Sequence, residues 1–113
     1  MDAIKQGFKI MLFPELTERK AMEDEWMELT RVNLPQVAAN RGWPIDKDHC
    51  FQRVLLDNAC NAKWSDVVLQ KPAYCNAPDH ILSAALALGH AVLNGREDLF
   101  VLNERSLHWR GKR

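Results

Sequence analysis

This sequence lacks a net charge, a paired-cysteine motif, a glycine-rich loop and a long apolar run, and each absence removes a class of function. Fifteen basic and fifteen acidic residues cancel over 113 positions. A neutral chain is a poor general binder of polyanions, so nucleic acid or a lipid surface would have to be met by a local patch. Three cysteines, Cys50, Cys60 and Cys75, are an odd number, and none stands in a C-x-x-C. That argues against a disulfide scaffold and for reduced thiols in a cytoplasm. The apolar run at the N-terminal end, "FKIMLF" (8–13), is short and is broken by Lys9. It cannot form a signal-peptide core, and no later run reaches the ~18 residues that a membrane span needs. There is no G-x-S-x-G and no H-E-x-x-H, and "NGRED" reads as a helix stop rather than a phosphate loop.

Glycine and proline number five each and fall between periodic segments. No repeat, linker or low-complexity tract interrupts the chain. Hydrophobic residues make up 47% and charged residues 27%, an ordinary globular balance. The expectation is a single domain over 1–113, with flexible ends at 1–7 and 110–113.

What is present is helical spacing. Ala21, Met22, Trp26, Leu29 and Val32 mark one side of a helix over 18–32, with Thr17 as its cap. Asn33 then caps a second short helix carrying Pro35, or the first continues through a kink. Gly42 stops that segment, and Asp46 caps a helix over 47–61. "NAKWSDVVLQKP" holds one short helix. "YCNAPDHILSAALALGHAVLNG" is the clearest element, with Asn76 as candidate cap, Pro78 in the first turn and Asn94-Gly95 as the stop. Its small residues allow close helix approach. A last helix over 96–109 sets Leu99, Leu102, Ser106 and Trp109 on one side. The fold class expected is all-α, a compact bundle of about five helices, with "FKIMLF" as a short strand or an apolar arm.

Within "DHCFQRVLLDNAC" (48–60), His49, Arg53 and Asp57 are spaced four apart in an otherwise apolar helix. A helix apolar almost all round is central in its fold, so this row is at least partly shielded and needs partners. Arg53 and Asp57 can pair at i, i+4, and Asp46 can meet His49. Spare donors on Arg53 can reach carbonyls of another helix end. On this reading the row is a polar strut. The same atoms allow an enzyme, with His49 as general base and Arg53 holding an anionic substrate. A zinc site would need Cys75, His80 or His90 as further ligands. His80 and His90 are ten residues apart on their helix, so no metal and no cofactor are expected. Cys75 alone reads as packing.

The C-terminal segment "RSLHWRGKR" carries four basic residues and no acid. Arg105, Trp109, Arg110, Lys112 and Arg113, with Trp43 as a second turn-flanking aromatic, are the candidate binding residues. An exposed tryptophan among cations can anchor a protein partner or stack on a base. A basic end also suits the dipole at a helix C-terminus.

"WPIDKDHCFQRVLLDN" and "LNERSLHWRGKR" together cover about a quarter of the chain. They resemble phrases of a group of small uncharacterised bacterial proteins. The resemblance implies a bacterial origin and brings no site residues with it. The functional expectation is a small cytosolic, non-catalytic helical protein that binds or regulates a larger protein. A nucleic-acid module working through the basic end is the second reading. An enzyme centred on His49, Arg53 and Asp57 is the third.

Overall fold

A computed structural model of the chain describes the backbone from residue 14 and the side chains from residue 18, through to residue 113. The strand or arm expected at 8–13 and the flexible end expected at 1–7 lie outside the described residues. The first helix, α1, spans Pro14–Glu28. It starts earlier than Thr17 because proline at the first helical position has no amide hydrogen to waste and a φ already suited to the helix. Thr17 therefore lies inside the helix rather than capping it.

A wide turn, Leu29–Asn33, joins α1 to α2, Leu34–Ala38, with the Leu34 amide reaching back five residues to the Leu29 carbonyl. Asn33 has helical dihedrals and caps nothing. The kinked continuation is what forms. Pro35 explains the position, because its ring would collide with a carbonyl four residues back in a regular helix. Burial follows the wider pitch. Trp26, Thr30, Leu34 and Ala38 are buried at intervals of four, whereas Val32 is exposed. The Thr30 hydroxyl also donates to the Trp26 carbonyl at 2.8 Å, a contact that bends helices.

The central helix, α3, is Asp48–Cys60. Lys47, not Asp46, occupies its cap position, without a side-chain bond. Asp48 instead accepts the His49 amide at 2.8 Å. Asn61 ends α3 with φ 53°, a conformation that asparagine tolerates. The Ala62 amide then returns to the Asp57 carbonyl at 3.2 Å. The segment after α3 forms only a single tight turn at Trp64–Asp66 and a four-residue helix, α4, Ala73–Asn76.

The fifth helix, α5, is Asp79–Leu93. It begins after Pro78, so Asn76 belongs to α4, where its side chain donates to the Pro72 carbonyl. At its other end, Arg41 donates to the carbonyls of Val92 and Leu93 at 2.8 and 2.7 Å. That places a cation where the helix dipole favours one. The last helix, α6, is Leu99–Trp109, and the Asp98 carboxylate caps it by accepting the Phe100 amide at 2.8 Å.

Counting α1, the wide turn and α2 as one bent rod, five helical pieces make an all-α fold, with no strand among the described residues. No described helix is long and apolar enough to cross a membrane. α3 packs against α5, α6 and the wide turn. Phe51, Val54 and Leu55 are fully buried there against Leu29, Leu82 and Leu102 of the same core. Gly89 makes the approach of α5 possible. A Cβ on it would collide with the Leu29 side chain and crowd Leu55, so the small residue sits where α5 meets the wide turn and α3.

Candidate functional site

The helical pitch carries Arg53, Asp57 and Asn58 to the side of α3 that faces α6. On α6 and its end, Asn103, Ser106 and Arg110 face back. Asp57 is fully buried. Its carboxylate accepts from the Trp64 amide at 2.8 Å, from the Ser106 hydroxyl at 2.7 Å, and from Arg110 Nε and Nη2 at 2.6 and 3.0 Å. Arg53 donates to Ser106 Oγ at 2.7 Å and to Asn103 Oδ1 at 2.9 Å. Asn58 donates to the Leu102 carbonyl at 2.9 Å. No described buried side-chain polar atom lacks a partner.

The row is therefore joined across two helices, but with a different wiring from the one the spacing suggests. Arg53 and Asp57 meet only through Ser106. The cation on Asp57 is Arg110, 53 positions away in the chain. Gly111 makes that possible. Its φ of 73° and the Lys112 amide bonded to the Leu107 carbonyl at 2.8 Å turn the chain at the end of α6. A left-handed turn of this kind suits glycine. No i, i+4 rule could have linked Arg110 to Asp57. The only signals in the sequence were a lone acid in an apolar helix and Gly111 just beyond the last helical segment.

His49 does not join them. Eight residues separate it from Asp57, about 12 Å along a helix, and its side chain is 77% exposed. Its carboxylate neighbour is Asp48, at 3.5 Å, rather than Asp46. The His49 amide holds the Asp48 carboxyl below its ordinary value, against the smaller effect of burial. Ser106 donates to a carboxylate, but both residues are sealed from solvent. The pair joins α3 to α6 out of contact with solvent.

The candidate binding residues separate as well. Arg110 is turned inward on Asp57, and Arg113 pairs with Glu104 at 2.9 Å. Arg105, His108, Trp109 and Arg113 border a shallow hollow of about 480 Å³ with Glu104. Lys112 is exposed beside it. Trp43 does not border it. It packs edge-on against Phe51, with ring centroids 5.8 Å apart, under the Arg41 guanidinium at 5.3 Å. Of the other tryptophans, Trp26 is core, while Trp64 and Trp109 are half-buried.

Cys50, Cys60 and Cys75 are all free thiols. Burial, with the Asp57 charge behind it, pushes the Cys60 thiol above its ordinary value. Cys75 is exposed on α4 rather than packed. Among the described residues no three His, Cys, Asp or Glu side chains are grouped as metal ligands. No family model matches this chain, and no curated protein or solved structure matches it.

Proposed function

We propose that this is a small, non-catalytic helical protein of the bacterial cytoplasm that binds and regulates a larger protein through the outer face of α6. The composition of that face carries the reading. Phe100 and Val101 are 47% and 44% exposed. One to two turns further on, Arg105 and His108 continue the face of Val101, with Trp109 half-buried at its edge. Aromatic and arginine side chains around an apolar patch are the usual anchors of a protein interface. The engagement of Arg53, Ser106 and Asp57 inside the fold supports a non-catalytic role. The free thiols support a reducing compartment.

The nucleic-acid reading draws less support from the same end. Arg110 and Arg113 are already on carboxylates, which leaves Arg105 and Lys112 for phosphates. Two contacts would give a salt slope of only about −2 on a logarithmic scale. The test is a photo-crosslinking residue at position 101 in host cells, with position 83, exposed on α5, as control. The expected result is a discrete protein adduct from position 101 only, lost on Phe100→Asp and retained after nuclease treatment. No adduct, or one that nuclease removes, overturns the reading.

A further inference from the structure

A cleft of about 450 Å³ opens between the first turns of α3, the α1 rod and the chain around α4. Its volume lies within the range of small-ligand sites. Four basic side chains border it, Arg31, His49, Arg53 and Lys71, and no carboxylate among the described residues does. We propose that this cleft binds a small anion, a carboxylate or a phosphate monoester, attached to a flat apolar body.

Two observations carry the charge. Among the described residues, the half-buried Arg53 guanidinium donates only to neutral oxygens, those of Ser106 and Asn103. Asp57, the nearest buried acid in its network, is already held by Arg110, so the two arginines and one carboxylate leave one positive charge over. Lys71 has no ion pair among the described residues. Asp48 offsets Arg31 and His49 at the mouth, at 3.5 Å from each, but it does not line the cleft. A partly desolvated cation without a counter-charge attracts an anion more strongly than a solvated one. The flat body follows from the walls, where Trp64 and Tyr74 stand with Met27 and Leu56. Gln52, bonded to the Thr30 hydroxyl at 3.0 Å, keeps a polar edge there for orientation. No α6 residue borders the cleft, so the proposal stands apart from the partner face.

The experiment is an NMR titration of the full chain, following the Trp64 indole and Arg53 Nε–H signals. The probes are 2-naphthoate and phenyl phosphate, with 2-naphthylmethanol as the uncharged control. Both signals should move with at least one anion, and the larger response tells carboxylate from phosphate. The alcohol should bind about tenfold more weakly, one charge-assisted contact's worth. Lys71→Ala, at an exposed position that leaves the core intact, should weaken anion binding by a similar factor. Equal binding of alcohol and naphthoate, unchanged affinity in Lys71→Ala, or no movement of either signal overturns the proposal.

Discussion

The two ends of α3 carry similar side chains to opposite fates. At the first turn, Asp48 lies near Arg31 and His49 with all three open to water. At the last turn, Asp57 meets Arg110, Ser106 and the Trp64 amide with no exposure at all. Both are acids beside a base. One is a solvated pair, which contributes little because water already stabilises the separate charges. The other must keep every partner, because water cannot replace one that is lost. Charge type decides little here, and burial decides almost everything.

That contrast is most exposed to failure at Asp57. Asp57→Ala leaves Arg110 and the Trp64 amide without their acceptor. The expected loss is about 3–5 kcal/mol, read as the midpoint and slope of urea unfolding. A loss under about 1 kcal/mol would mean that Arg110 finds water without cost and that the seam is not structural. Arg53→Ala comes next, at about 1–3 kcal/mol, because it removes a donor from Ser106 and Asn103 but leaves Asp57 its own cation. If Arg53→Ala equals or exceeds Asp57→Ala in the same denaturation series, the wiring through Arg110 is wrong.

At the other end of the helix, His49→Ala should change stability by no more than about 0.5 kcal/mol, as for an ordinary surface position. Calorimetric melting is enough to check it, and a drop of several degrees would place His49 in the fold after all. The smallest effect belongs to Asp48. Its carboxyl value is lowered in the folded chain, chiefly by the His49 amide. A lowered value adds stability above the unfolded value, near 4. That addition disappears as pH falls through the folded value. Asp48→Asn should be slightly less stable than the parent at pH 7 and indistinguishable from it once both carboxyl forms are protonated. Unfolding midpoints that differ equally at both pH values would reject this account.

The seam also shows how far spacing could be read. An apolar circumference around Arg53 and Asp57 was enough to expect a central helix with a shielded polar row, and α3 is that helix. The partners were not legible. The i, i+4 distance made Arg53 the natural mate for Asp57, but Ser106 stands between them. The helix starts were similarly half-legible. Pro78 and Gly95 stand where a helix begins and ends, while Thr17, Asn33, Asp46 and Asn76 do not cap the helices assigned to them. A capping residue is common inside and outside helices alike, whereas proline and glycine constrain the backbone itself.

By itself, then, the sequence determined an all-α chain, the central place of α3, the small-residue face of α5 and the neutrality that disfavours polyanions. These depend on local dihedral preference and on hydrophobic period, which each segment carries along its own length. Only the tertiary structure decided that Arg110 is Asp57's cation, that Arg41 closes the end of α5, and that Arg53 and Lys71 face one cleft. These are meetings of residues far apart in the chain. Which charge meets which depends on where the rods cross and which carboxylate is sealed from water, and no periodicity within a single segment encodes that.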